Sequence, residues 1–101
     1  MGQDVYEASA WWREMHTILF VDDDQATREL VSKILDRGGY RTLVAASVDE
    51  ALQTLNGGPP PDLIVSDIAM PERDGLDLLR EVRQMAWGRR LPFIFLSAVR
   101  C

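Results

Sequence analysis

Four short apolar runs, each too short for a helix and each followed by a break, constrain this chain most. They are Thr17–Val21, Thr42–Ala46, Leu63–Ser66 and Pro92–Leu96. The first, Thr17-Ile-Leu-Phe-Val21, is apolar at consecutive rather than alternate positions, which reads as a strand buried on both faces of a parallel sheet. The segments between the runs carry helical spacing. Leu30, Val31, Ile34 and Leu35 share one face of a helix expected from about Gln25 to Arg37, with Asp24 as N-cap and Gly38-Gly39 as its stop. Ser47 with Glu50 reads as a capping box opening a second helix, which carries Ala51, Leu52 and Leu55 and ends at Asn56-Gly-Gly-Pro-Pro-Pro61. After a loop over 68–75, Leu76, Leu79, Val82 and Arg83 continue a third helix to about Trp87. This β-α-β-α-β-α-β order predicts an α/β fold, a doubly wound parallel sheet with helices on both faces. Ligands of such sheets bind beyond the carboxyl ends of the strands, where the strand order reverses.

The acids collect at those ends. The first strand runs into Asp22, Asp23 and Asp24, and the third into Asp67. If the two strands are neighbours, about 4.8 Å apart, their carboxylates converge on one pocket. Facing carboxylates repel, and a hard divalent cation relieves them. Mg²⁺ suits such a site because it takes a few carboxylates and leaves positions for phosphate oxygens. The fourth strand leads into the hydroxyl of Ser97 at the same edge. The set suggests phosphoryl transfer onto a carboxylate, with Asp67 as nucleophile and Ser97 donating a hydrogen bond to the new phosphoryl group. Each residue also has a plainer reading. Asp22 to Asp24 can be a solvated loop with a cap, Asp67 a turn residue, and Ser97 an ordinary strand-end hydroxyl.

From Thr17 to Ala98 the chain resembles the receiver domain of response regulators in two-component signalling. The resemblance rests on Ile18-Leu-Phe-Val-Asp-Asp-Asp24, on Asp67-Ile-Ala-Met-Pro-Glu-Arg-Asp-Gly75, and on Phe93-Ile-Phe-Leu-Ser-Ala98. The middle segment matches the family pattern D-x-x-M-P-x-x-D-G at every fixed position. The resemblance implies a flavodoxin-like sheet of order 2-1-3-4. It implies Asp67 as phosphoacceptor, with Asp22, Asp23, Asp67 and the backbone carbonyl of Ala69 around Mg²⁺. It implies Ser97 as switch hydroxyl and Ala98 as a residue small enough to admit the phosphoryl group. The implied donor is a histidine kinase or phosphotransfer protein, and the implied role is that of a signalling module rather than an enzyme.

The family pattern continues past where this sequence stops, with a helix, a fifth strand ending in lysine, and a final helix. The sole lysine, Lys33, stands several turns into the first helix, roughly 13 Å of rise beyond Asp24, and is not expected at the site. The expectation is an incomplete receiver over 17–101 whose response to phosphorylation is weakened. It is also expected to leave an exposed apolar fourth strand and a bare sheet face, and therefore to associate with itself.

Residues 1–16 form a separate extension. Asp4 and Glu7 resemble a capping box, and Val5, Ala8, Trp12 and Met15 follow at helical spacing beside Trp11. An amphipathic helix able to cover the bare face is expected, with a frayed tail as the alternative. His16 reads as a linker residue without a partner, and the tryptophans as packing residues.

Composition sets the outer limits. With 101 residues, 47% of them hydrophobic, the chain suits one domain with a real core. A net charge of −5 argues against general binding to nucleic acid or anionic membrane. Cys101 is the only cysteine, which rules out an internal disulfide and fits the cytoplasm. No apolar run approaches the roughly 18 residues of a membrane span. Of the other functional classes, a receiver-like module that is never phosphorylated and works as a dimer or docking surface is the main alternative. A topoisomerase-primase-like site would want a catalytic glutamate on an earlier strand. A haloacid-dehalogenase-type phosphatase would want an aspartate at position 69, where Ala69 stands.

Overall fold

The computed structural model of the chain describes residues 16–96. Four strands alternate with three helices: β1 Thr17–Val21, α1 Gln25–Arg37, β2 Arg41–Ala45, α2 Val48–Asn56, β3 Leu63–Asp67, α3 Gly75–Gln84 and β4 Phe93–Leu96. All strand pairs are parallel, in the order β2-β1-β3-β4. The chain starts in the middle of the sheet, steps to β2 and returns past β1 to β3. Because each crossover is right-handed, that reversal puts α1 on one face and α2 with α3 on the other. Among the described residues, no helix is long and apolar enough to cross a membrane.

Local signals fix the boundaries. The Asp24 side chain accepts from the Thr27 amide at 2.9 Å and from its hydroxyl at 2.6 Å, opening α1. Ser47 Oγ accepts from the Glu50 amide at 3.1 Å, opening α2. At α3 the capping box is complete and falls on Asp74 and Asp77, each carboxylate accepting from the other's backbone N–H. This box was not anticipated, because Asp replaces the usual Glu or Gln at its third position. The third helix ends at Gln84, short of the expected Trp87; the chain then turns, and Arg83 ties that turn down by donating to the carbonyls of Gly88 and Leu91. Gly39, at φ 89°, takes the left-handed position after α1 that a side chain would resist.

The core lies between the sheet and α2–α3. Leu19 and Val21 of β1, Ala45 of β2 and Ile64 of β3 meet Val48, Ala51 and Leu55 of α2 and Leu78 and Val82 of α3. Trp87 packs against this cluster, as expected of a packing residue. His16 corrects the reading that it lacks a partner. Its Nδ1 lies 3.7 Å from the Asp62 carboxylate, which also accepts from the Thr17 amide at 2.7 Å. The amphipathic helix expected over 1–16 lies, but for His16, outside the described residues, as do Ser97, Ala98 and Cys101.

Candidate acidic site at the sheet's switch point

The register brings the acids together. Val21 pairs with Ser66, so Asp22 follows one strand end where Asp67 closes its neighbour. The Asp22 amide still donates to the Ala45 carbonyl at 3.1 Å, which prolongs the ladder and holds the residue in line. Carboxylate oxygens of Asp22, Asp23 and Asp67 all lie within 4.8 Å of one another. Asp22 is nearly buried, Asp67 is intermediate and Asp23 is exposed, so the cluster opens to solvent on one side.

Electrostatics inside the cluster are unfavourable. Burial raises the Asp22 carboxyl above its ordinary value, a hydrogen bond from the Asp24 amide at 2.9 Å works the other way, and the charges of Asp67, Asp23 and Asp24 raise it further. Among the described residues, no Lys, Arg or His side chain forms a salt bridge with any of the three carboxylates. All-oxygen donors, clustered and not neutralised, fit a hard divalent cation such as Mg²⁺. Asp24 is set apart by its role as the α1 cap, as the sequence indicated.

The loop from Asp67 to α3 is shaped by two features. Glu72 has φ 67°, a left-handed conformation uncommon for a residue with a side chain. Gly75, expected to relieve a strained backbone, has ordinary φ; its role is steric. A Cβ there would collide with the carbonyl oxygen of Asp67 and press on the Phe95 ring. The glycine therefore lets the start of α3 close against the candidate acceptor, and its amide donates to the Ile68 carbonyl at 2.8 Å. Met70 packs against the core and anchors the loop from within. Ala69 is exposed two residues past Asp67. Leu96 pairs with Asp67 at the end of β4, and Ser97 and Ala98 come next in sequence.

Two arginines escaped the sequence reading. Arg28 donates from a guanidinium nitrogen to the Asp22 carbonyl at 2.7 Å, tying α1 to the acidic strand end. A signal existed: Arg28, Val31 and Leu35 share one stripe at i, i+3 and i+7, so a charged residue stands where the sheet-facing stripe calls for an apolar one. Arg73 forks between Asp49 at 3.2 Å and Glu81 at 2.8 Å, joining the acidic loop to α2 and α3. No spacing rule points to it, because its partners lie on separate helices.

Together these features define a doubly wound α/β domain with an acidic pocket at its switch point. The sequence matches the family described as response regulator receiver domain over residues 18–100, and the chain belongs to that family. It is 46% identical over 81 residues to an uncharacterized 14.6 kDa protein of Leptolyngbya boryana, covering 80% of this chain and 61% of that protein. It is 38% identical to the transcriptional regulatory protein CpxR of Klebsiella pneumoniae, over 83% of this chain and 34% of that one. The chain thus spans less than two thirds of these relatives' lengths. Among solved structures, the N-terminal domain of a response regulator receiver protein from Methanoculleus marisnigri aligns with TM-score 0.78 and 37% identity, covering 86% of this chain and 70% of that one. Chemotaxis protein CheY4 of Vibrio cholerae aligns with TM-score 0.80 and 31% identity, covering 86% and 72%. The chain is accordingly a receiver domain of two-component signalling, a signalling module rather than a classical enzyme.

Proposed function

We propose that Asp67 accepts a phosphoryl group from the phosphohistidine of a histidine kinase or phosphotransfer protein in the cytoplasm. The observation that carries this is the convergence of Asp22, Asp23 and Asp67 within 4.8 Å at the reversal of strand order. An Asp67 carboxylate oxygen attacks phosphorus in line; the new O–P bond forms as the N–P bond breaks, and the imidazole nitrogen leaves with the bonding pair. Asp22, Asp23, Asp67 and the Ala69 carbonyl would hold Mg²⁺, which when bound neutralises charge on the phosphoryl oxygens. Arg28 and the Ala45 ladder bond keep Asp22 in line, and Gly75 keeps the start of α3 close to Asp67. Ser97, following Leu96, supplies the hydroxyl for the phosphoryl group, and Ala98 leaves room for it. A phosphoaspartate adds charge and acceptor oxygens, enough to rearrange the adjoining loop.

The test is incubation with Mg²⁺ and acetyl phosphate, followed by intact mass. The expected result is a gain of one phosphoryl group that disappears in Asp67→Asn. No gain on the unsubstituted chain, or a gain that survives Asp67→Asn, refutes the assignment and leaves an interaction module that is not phosphorylated. Self-association belongs to the same proposal. Among the described residues β4 is an edge strand, with Ile94 and Leu96 half exposed. Light scattering over a concentration series is expected to show association, and a monomer throughout removes it.

A further inference from the structure

The loop from Asp67 to Gly75 is anchored at three points and strained between two of them. Met70 packs against the core, Asp74 is locked by its box with Asp77, and the Gly75 amide donates to the Ile68 carbonyl at 2.8 Å. Pro71, Glu72 and Arg73 stand between the first two anchors. The Arg73 amide donates back to the Pro71 carbonyl at 2.8 Å, closing a tight turn centred on Glu72 at φ 67°. A three-residue turn of this sign is the rare, strained form. Among the described residues, Glu72 is the only one other than glycine with positive φ. Such a conformation persists only where its surroundings hold it. Packing does not supply the hold, because Ala69, Pro71 and Glu72 are exposed. The next residue does. The Arg73 guanidinium reaches Asp49 in the first turn of α2 at 3.2 Å and Glu81 of α3 at 2.8 Å. Among the described residues these are the loop's only ion pairs.

We infer that Arg73 is a positioning residue of the acidic site: its fork to Asp49 and Glu81 holds the strained turn at Glu72, and the turn sets where the Ala69 carbonyl stands relative to Asp67. The inference rests on the reading of Asp22, Asp23, Asp67 and the Ala69 carbonyl as donors to Mg²⁺. Ala69 lies two residues after Asp67 and three before Glu72, on the exposed arm of the loop. The strain of one left-handed residue and the gain from two exposed ion pairs are of similar size. Loss of the fork therefore tips the loop and leaves the core alone. Arginine suits the task because its planar fork binds two carboxylates at once, which a lysine ammonium does less well. The sign of the effect separates position from charge. Arg73 brings a positive charge to the loop that leaves Asp67, and that charge by itself opposes a cation. Removing charge alone would tighten Mg²⁺ binding; removing a positioning residue weakens it.

The test uses the full chain, titration calorimetry with Mg²⁺ and amide exchange without metal. Arg73→Ala is expected to weaken Mg²⁺ binding about 3- to 10-fold. In the metal-free protein the Gly75 amide should exchange severalfold faster, while the Ile64 amide, bonded to the Pro92 carbonyl in the sheet, keeps its rate. Arg73→Lys keeps the charge and loses the fork, so it should also bind Mg²⁺ more weakly than the unsubstituted chain; it serves alone if the alanine variant fails to fold. Glu72→Asn closes a cycle, because asparagine takes a positive φ at less cost. On that background, loss of Arg73 should weaken Mg²⁺ binding less than it does on the unsubstituted chain. Unchanged or tighter Mg²⁺ binding by Arg73→Ala, an unchanged Gly75 exchange rate, or equal losses on both backgrounds overturns the inference. If the unsubstituted chain binds no Mg²⁺, the metal reading itself falls. If it binds Mg²⁺ but gains no phosphoryl group from acetyl phosphate, the phosphoacceptor reading falls and the role of Arg73 is still decided by the titrations.

Discussion

On one side of the sheet, α2 sinks three residues into the core and α3 two; on the other, α1 has no buried residue of its own. The helices are similar in length and all are capped by an acid or a serine. What differs is how many neighbours share the face. Two helices side by side close the α2–α3 layer against the sheet, whereas among the described residues α1 alone faces the other side and covers only part of it. Stability is therefore concentrated in one layer. The acidic site draws on both, since Asp22 and Asp23 lead into α1 while Asp67 leads towards α3.

Substitutions sharpen that contrast. The largest effect is expected in the closed layer. Leu78→Ala, at a fully buried site on α3, should cost about 2–5 kcal/mol in urea unfolding. Its counterpart on α1, Leu30→Ala, at an exposed site, is expected to stay within about 0.5 kcal/mol. Next comes Gly75→Ala, whose added methyl meets the Asp67 carbonyl. A loss of about 1–3 kcal/mol is expected, together with slower acquisition of phosphate from acetyl phosphate.

Asp22→Asn is expected to act in the opposite direction. The side-chain carbonyl of the introduced amide can still accept from the Asp24 backbone N–H while the charge is lost, so calorimetry without metal should show a gain of about 0.5–2 kcal/mol. Titration calorimetry should show weaker Mg²⁺ binding by the same variant. The sign with pH follows from the raised Asp22 carboxyl. The folded state holds that proton more tightly than the unfolded state. Metal-free stability from this group therefore rises as pH falls through its folded value toward 3.8, and falls again on the way back up. Mg²⁺ binding should weaken over the same acidic window, beginning above the ordinary aspartate range. The smallest effect belongs to Arg73→Ala. Its ion pairs are solvent-accessible, so the urea midpoint should shift less than in any variant above, and the shift should shrink further in high salt.

Much of this arrangement was legible in advance. Strand and helix positions followed from the alternation of apolar runs with helical spacing, whereas the strand order came from the resemblance to the receiver family. The acids at Asp22, Asp23 and Asp67 were legible because position at a strand end is set by topology. What escaped depended on contacts between distant elements. The α1 stripe of Leu30, Val31, Ile34 and Leu35 announced an apolar face, but only the assembled sheet shows Val31 and Leu35 partly buried with Leu30 and Ile34 left out. Gly75 looked like a conformational glycine and proved to be a spacer between α3 and β3. His16 looked solitary because Asp62 lies far along the sequence.

The pairing of β1 with β3 has a consequence for how the domain forms. The three carboxylates lie on segments that meet only when those strands join, so the unfolded chain has no equivalent cluster and no comparable cation affinity. The mutual repulsion then acts as a brake on that one step of assembly. Mg²⁺ should release the brake, raising the melting temperature with concentration as a ligand of the native state alone does. If β1 and β3 are already joined at the folding barrier, refolding should also be faster in Mg²⁺ while unfolding is left nearly unchanged. A stopped-flow comparison with and without the cation would show whether the acidic site is put together early or last.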